Sequence, residues 1–374
     1  MINHEKIMYD CINLAVKGIG NASPNPLVGC IIVKGNRIIG KGYHQKYGEA
    51  HAEVNAIKES KKHSKSLKGA SLYVNLEPCS HTGQTPPCVD LIIKEGINKV
   101  YIGTKDINPL VNGKGIRKLK NTGIEVISGI LETDCKEINK AFFFASKFKR
   151  PYITLKFAQS IDGHIALKNY KSKWITNINT RKIAHNIRTF NDAVLIGSNT
   201  LKKDNPVIDC RLTNYKNNPD VIILSTKSLV NYKARLFAIP DRSIYIYSVK
   251  KIREKFHTEN VKIKQVKSIK GNLNLKAILK DLYKEGINSI LVEGGSYTLS
   301  QFFKQKLFEE IYVMIAPKIF GKGVSPFADF QINSINHRND LILHDFFSSG
   351  NDIIINYKNT DNVYRNSYFN GKSN

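Results

Sequence analysis

A chain of 374 residues, 41% of them hydrophobic, is long enough for two packed cores, and its six cysteines are too few for a disulfide framework. The N-terminus, Met1-Ile2-Asn3-His4-Glu5-Lys6, lacks the apolar core of a secretory signal, and no apolar run approaches the ~20 residues of a membrane span, which predicts a soluble, cytoplasmic protein with no membrane partner. The formal charge of +26 is lysine scattered among Asn and Ile, not a basic stripe with interleaved aromatics, so it argues against nucleic acid and suits anionic small substrates such as phosphates.

Residues 4–19 carry Ile7, Cys11, Leu14 and Ala15 at helical spacing, and Ser23-Pro24-Asn25-Pro26 breaks the chain after them. Val28 to Val33 reads as a buried strand, Gly35-Asn36 as a hairpin turn, and Arg37 to Gly40 as the returning partner. His51 opens a helix over 51–61. Side chains at i and i+2 diverge on a regular helix, so His51 and Glu53 converge only in its first turn. Ser71 to Leu76 is a strand that delivers Glu77 and Cys79 at its end. Pro86-Pro87 suits a helix start, which puts Cys88 in a first turn, where thiolate is favoured. A strand at 99–103, a helix at 114–121, a strand at 124–128 and a helix at 132–145 follow, an alternation that predicts a mostly parallel sheet covered on both faces.

Chemistry concentrates in His51-Ala52-Glu53 and in Glu77-Pro78-Cys79-Ser80-His81-Thr82-Gly83-Gln84-Thr85-Pro86-Pro87-Cys88. One histidine and two cysteines suit a tetrahedral Zn2+ that keeps a water in its fourth position. A glutamate two residues past the histidine is the further part, a proton carrier, that a zinc deaminase needs. Each residue alone is a common accident; the conjunction is specific. Cys11, Cys30, Cys135 and Cys210 read as packed thiols. His81 is assigned to the substrate, with a closed four-ligand structural zinc site as the rival reading.

Pro24-Asn25-Pro26-Leu27-Val28-Gly29-Cys30, with the two zinc motifs, resembles the cytidine-deaminase-like superfamily. Eight residues between the cysteines, where two are usual, look like the bifunctional riboflavin-biosynthesis deaminase–reductase family. That resemblance implies that His51, Cys79 and Cys88 hold zinc, that Glu53 shuttles protons and that Asn25 contacts the substrate. Asp106-Ile107-Asn108-Pro109, followed by Gly113-Lys114-Gly115, is similar to a further loop of the family, with Ile107 where proline is usual.

Lys149-Arg150-Pro151 ends the first half, and Tyr152 to Ala158 begins a new strand. A turn at Ser160-Ile161-Asp162-Gly163, a helix over 179–190 and a strand at 193–197 ending in Ser198-Asn199-Thr200 come next. Strands at 221–224, 243–248 and 261–265 lead to Ile290-Leu291-Val292-Glu293, which runs into Gly294-Gly295-Ser296 and a helix of roughly 297–305. A glycine turn between strand and helix exposes backbone N–H groups that attract phosphate. The tail after about 360 reads as disordered.

Leu155-Lys156, Ser172-x-Trp174-Ile175-Thr176, Asp204-Asn205-Pro206 with Arg211, and Glu293-Gly294-Gly295 resemble the reductase half of the same family. The resemblance spans residues 4–325. It implies a cytidine-deaminase-like α/β/α domain over 1–147 and a dihydrofolate-reductase-like α/β domain over 148–374. It also implies NADPH lined by Ala158, Trp174, Thr200, Asp204, Gly295 and Ser296, and a phosphorylated pyrimidine touched by Ser172, Arg188, Ile208, Arg211 and Glu293. Lys156 and Asp204 are expected to assist catalysis, and Arg188 and Arg211 to clamp the phosphate. Asn205 and Tyr170 depart from the family pattern. A nucleic-acid base deaminase and a non-catalytic zinc module are the alternatives, and a homo-oligomer is left open.

Overall fold

The computed structural model describes residues 2–81, 86–107, 112–213, 217–226, 230–231, 233–252, 259–269, 271–334, 336 and 340–360. Thr82 to Thr85 of the cysteine loop, Asn108-Pro109 of the further loop, and the tail from 361 lie outside the described residues. The chain divides into two compact units, Met1–Lys149 and Arg150–Asn374. Among the described residues, no helix is long and apolar enough to cross a membrane.

The first unit runs α1 (His4–Ala15), β1 (Gly29–Lys34), β2 (Arg37–Tyr43), α2 (Ala52–His63), β3 (Ser71–Leu76), α3 (Cys88–Lys94), β4 (Lys99–Thr104), α4 (Lys114–Asn121), β5 (Glu125–Ser128), α5 (Glu132–Ile138) and α6 (Lys140–Phe148). The sheet order is β2-β1-β3-β4-β5. It is mixed, not mostly parallel: β1 is antiparallel to β2 and β3, and only β3-β4 and β4-β5 are parallel. The hairpin forces the first pairing, since two residues can join only antiparallel neighbours. Strand alternation then sorts the core onto two faces. Cys30, Ile32, Leu72, Val74, Val100 and Ile102 pack with Ala52, Ala56 and Ile57 of α2. Ile31, Val33, Tyr73 and Tyr101 face the other way, towards Met8 and Cys11 of α1 and Cys135 of α5. The helix expected over 132–145 is broken at Asn139, whose side chain accepts from Leu27 N (2.8 Å) and donates to Leu27 O (2.9 Å).

The second unit contains β6 (Tyr152–Ser160), β7 (Ala166–Leu167), α7 (Ile178–Thr189), β8 (Ala193–Gly197), α8 (Ser198–Asp204), β9 (Asp220–Ser225), β10 (Ile244–Ser248) and β11 (Val261–Gln265). It continues through β12 (Ser268–Ile269), β13 (Asn272–Leu273), α9 (Leu275–Lys284), β14 (Ser289–Val292), α10 (Ser296–Lys304), β15 (Glu310–Ala316), β16 (Gly323–Val324), β17 (Leu341–Ser349) and β18 (Asp352–Asn359). Its main sheet runs β11-β10-β9-β8-β14-β6-β15-β18-β17, parallel from β11 to β15 and antiparallel through the β18-β17 end. Alternation again splits the core. Leu155, Leu195, Ile222, Tyr245 and Val292 pack on α9 and α10, while Val194, Ile196, Val221, Ile223 and Leu291 form the opposite layer. Ser198-Asn199-Thr200, expected as a strand end, opens α8 instead. Ligands of open parallel sheets collect at the carboxyl ends of the strands, and here those ends belong to β6, β8, β9 and β14.

Candidate active sites

In the first unit, two glycines of β2, Gly40 against Ala56 and Ser60 and Gly42 against the first turn, decide where the functional helix lies. A Cβ on Gly42 would sit 2.5 Å from Ala52 O and 2.8 Å from Asn55 C, so β2 touches the backbone of α2 directly. His51 is the N-cap of that helix, with extended backbone (φ −69°, ψ 163°), and Glu53 lies in its first turn. The non-helical cap lets two residues at i and i+2 serve one site. His51 Nδ1 stands 3.5 Å from Cys79 Sγ and 3.3 Å from Cys88 Sγ. Tetrahedral bonds of ~2.0 Å to nitrogen and ~2.3 Å to sulfur give an N–S edge of about 3.5 Å, so the spacing fits zinc. Cys88 is the first residue of α3, and its N–H donates to Cys79 Sγ at 3.3 Å. The Cys79 thiol is held well below its ordinary range because the Cys88 thiol, His51 and this N–H all favour its thiolate; Cys88 is correspondingly pushed up. Glu53 is only 3% exposed, and burial, reinforced by the Cys79 thiolate, raises its carboxyl to about 7. His81 is exposed and outside the three-donor cluster, so among the described residues no fourth protein ligand closes the site.

Buried polar side chains hold the surrounding loops. Asn75 accepts from Gly29 N (2.7 Å) and donates to Leu27 O (3.0 Å), which fixes the segment carrying Asn25. Asn25 Nδ2 lies 3.1 Å from His44 Nε2, and His44 Nδ1 lies 3.2 Å from Ala50 O. Facing a carbonyl, Nδ1 must carry the proton of the neutral ring, so Nε2 accepts from the Asn25 amide and leaves the Asn25 carbonyl for a ligand. Burial, the dominant influence on His44, lowers its pKa and favours that neutral form. Glu77 is buried and gives both carboxylate oxygens to backbone: Oε2 accepts from Asp106 N (3.2 Å) and Gly113 N (3.0 Å), and Oε1 from Ile116 N (3.2 Å). It ties the start of α4 to the turn that delivers Cys79.

The second unit holds a cavity of about 850 Å³ at the strand ends. Lys156, Ala158, Ser172, Trp174, Thr200 and Asp204 line it together with Glu293, Gly295 and Ser296. Gly295 caps α10 without a side-chain hydrogen bond, and its N–H donates to Thr200 Oγ1 at 2.8 Å. Gly294, at φ +101°, occupies a conformation that other residues rarely adopt. Ser296 Oγ donates to Ser325 O (2.7 Å) and accepts from Ala328 N (3.1 Å). Arg188, Ile208 and Arg211 lie outside the cavity lining. Arg188 pairs with Glu293 through both arms of its guanidinium, Arg211 pairs with neighbouring Asp209, and Ile208 is a buried core residue. The Tyr170 ring lies under Lys203 Nζ, 3.0 Å from its centroid. Asn205 caps α8 in the left-handed region (φ 39°), which asparagine tolerates, and accepts from Arg235 N at 2.9 Å.

Residues 1–104 match the cytidine and deoxycytidylate deaminase zinc-binding region, and residues 151–355 match the RibD C-terminal domain. The riboflavin biosynthesis protein RibD of Aquifex aeolicus is 43% identical over 347 residues, covering 93% of this chain and 96% of its own length. The chain belongs to the RibD family. The Escherichia coli RibD is 33% identical, covering 91% of this chain and 98% of its own. A crystal structure of a diaminohydroxyphosphoribosylaminopyrimidine deaminase/5-amino-6-(5-phosphoribosylamino)uracil reductase from Thermotoga maritima superposes with a TM-score of 0.87 at 37% identity, covering 95% of this chain and 98% of that one. The RibD fold, a cytidine-deaminase-like domain followed by a dihydrofolate-reductase-like one, is the fold described above.

RibD membership brings zinc to the first domain and NADPH to the second. The residues present fit both groups: the N/S donor spacing suits zinc, and the uncapped start of α10 behind a glycine turn suits a nucleotide phosphate. Sequence reasoning missed His44, Asn75, Asn139 and the role of Glu77. The histidine and both asparagines stand in no motif. Glu77 stood inside one, two residues before Cys79, and that was the only available signal.

Proposed function

We propose that this chain carries out two consecutive steps on one phosphorylated pyrimidine of riboflavin synthesis: hydrolytic deamination of 2,5-diamino-6-(5-phosphoribosylamino)pyrimidin-4(3H)-one, then reduction of its ribosyl group to ribityl. We assign the first step to residues 1–147 and the second to 148–374. The observation that carries the proposal is a three-ligand N/S cluster with a buried glutamate beside it, in the same chain as a cavity where a lysine meets a carboxylate.

When bound, zinc activates a water at neutral pH and the nicotinamide supplies a hydride. His51, Cys79 and Cys88 hold the metal. Glu53, with a carboxyl near neutrality, accepts a proton from the attacking water and returns protons to the ring nitrogen and the departing ammonia. The Asn25 carbonyl orients the pyrimidine, and His81 reaches it from the exposed rim. In the second unit, Ala158, Trp174, Thr200, Gly295 and Ser296 seat the dinucleotide, and Asp204 holds the opened sugar. Lys156 protonates the sugar-derived imine at nitrogen while Glu293 and Ser172 orient the substrate. Arg211, half-exposed, is the phosphate contact. None of the six cysteines forms a disulfide, which supports a cytoplasmic setting.

The test separates the two half-reactions. With the diaminopyrimidinone ribotide and NADPH supplied, ammonia release and NADPH oxidation are followed independently. Glu53→Gln is expected to retain zinc and lose deamination by orders of magnitude while still reducing deaminated product. Activity within a few-fold of wild type would remove Glu53 from the mechanism.

A further inference from the structure

Tyr170 ends a tight turn after β7: its N–H donates to Leu167 O at 2.8 Å, and the Leu167 N–H donates to Lys171 O at 3.0 Å. Its backbone lies in the left-handed region (φ 65°), which glycine enters freely and a bulky side chain does not. Its ring is 55% exposed, and Lys203 Nζ, from α8, stands 3.0 Å from the ring centroid. Both side chains line the cavity of the second unit. The segments they join carry its working groups: Ser172 and Trp174 follow Tyr170 on one loop, and Asp204 follows Lys203 at the end of α8. Only two residues of β7 pair with β16, which anchors one end of that loop. The other end is held at Trp174, where Lys318 Nζ donates to the carbonyl at 2.6 Å and the Arg181 guanidinium lies 4.1 Å from the ring centroid. Among the described residues, no hydrogen bond from Lys168 to Lys173 leaves the loop. The ring–ammonium contact ties this stretch to α8.

We propose that Tyr170 and Lys203 are a positioning pair for the reduction: ring and ammonium strap the loop to α8 and so keep Ser172 and Trp174 in place on the wall they share with Asp204. This role rests on placing NADPH and the reduction in this cavity. A cation over an aromatic face at an exposed site favours the strapped arrangement by only about 2- to 5-fold. That biases the loop towards its binding form without locking it, so a dinucleotide can still enter. Losing the strap lowers the competent fraction, and apparent affinity falls in the same proportion.

The backbone at Tyr170 separates a positioning role from a structural one. Glycine relaxes a left-handed turn that tyrosine strains, so Tyr170→Gly removes the ring without harming the fold at that point. Stability should hold or rise while NADPH binding weakens. A side chain that merely braced the unit would lose both together. The contact also needs only an aromatic face and a positive charge, so phenylalanine can replace the tyrosine and arginine the lysine.

The experiment titrates the full-length, zinc-loaded protein with NADPH by calorimetry and reads its melting temperature in parallel. Tyr170→Gly and Lys203→Met are each expected to raise the NADPH Kd about 2- to 5-fold. The double variant should raise it no further, because both changes remove one contact. Tyr170→Phe and Lys203→Arg, which keep ring and charge, should recover most of the loss. Should Tyr170→Gly fail to fold, Lys203→Met with its rescue by Lys203→Arg carries the same test. Losses that multiply in the double variant, or an unchanged Kd in Tyr170→Gly, would overturn the proposal. A loss in Lys203→Met alone would make the lysine a direct contact of the dinucleotide and overturn it too. So would a melting temperature that falls in step with affinity, which leaves only a brace. A wild-type protein that deaminates but binds no NADPH would instead refute the placing of the cofactor in this cavity, and the pair's role with it.

Discussion

Gly42→Ala tests whether contact between β2 and α2 sets the deaminase geometry. The new Cβ would stand 2.5 Å from Ala52 O and 2.8 Å from Asn55 C, where ordinary contacts begin at 3.4 Å. Both obstacles are backbone atoms, so no side chain can swing aside and the first turn of α2 must retreat by about 1 Å. That turn carries Glu53 and follows His51 directly. Overpacking of this kind costs about 1–3 kcal/mol of stability, and a displacement of ~1 Å at reacting groups costs about 100-fold in rate, or roughly 2.7 kcal/mol of barrier. The assay is ammonia release per bound zinc, with NADPH oxidation by the second unit as the internal control. Deamination is expected to fall about 100-fold while reduction holds. Wild-type deamination in a folded, zinc-loaded variant would show that α2 is placed by other contacts.

Cys88→Ser removes one of the three donors proposed to hold zinc. Zinc content by atomic absorption and deamination are expected to fall together, with reduction intact; undiminished zinc would point to another ligand. His185 is buried and is held at about 4 by burial first and then by Arg188 and Arg211, against about 6.5 in the unfolded chain. The unfolded state therefore binds the proton first, and the contribution of neutral His185 to stability, full above pH 6.5, drains away as pH falls towards 4. Over that window the second unit should lose up to about 3 kcal/mol more in wild type than in His185→Gln; identical pH slopes in chemical denaturation would contradict this. Phe302 is fully buried on α10, and Phe302→Ala should cost about 3–5 kcal/mol. The only tryptophan, Trp174, lies in the same unit and reports the shift by fluorescence.

What the sequence revealed follows from how local each constraint is. The convergence of His51, Cys79 and Cys88 on one cluster was legible because a metal demands particular donor types, and few other demands place them together. The helix at 114–121 was legible because it buries one face with helical period, the strands at 71–76 and 193–197 because each is a short apolar run, buried on both faces, and the strand at 261–265 because Val261 and Ile263 alternate with lysine. Asn139 was not: it sits mid-pattern in what reads as one helix, and only Leu27, 112 residues away, explains the break. His44 and Asn75 likewise act through partners distant in sequence, so no window contains the reason for them. That Arg188 meets Glu293 was not legible, because Glu293 arrives from 105 residues downstream. A lone arginine on a helix carries no mark of what its fork will meet.

Both units place a buried glutamate just past the carboxyl end of a parallel strand, Glu77 after β3 and Glu293 after β14. Their partners make them different devices. Glu77 spends both oxygens on three backbone N–H groups, which are fixed dipoles that cannot exchange a proton with a ligand. It can only hold a loop in place. Glu293 faces two side-chain cations, one of them a lysine whose charge is mobile and whose ammonium lines the cavity. A change at Glu293 therefore alters the proton balance of a lysine in the cavity wall, whereas a change at Glu77 alters only where the groups stand. Replacing Glu77 should move stability and rate together at every pH, and replacing Glu293 should also reshape the pH profile of reduction, because only Glu293 is wired to a group that titrates.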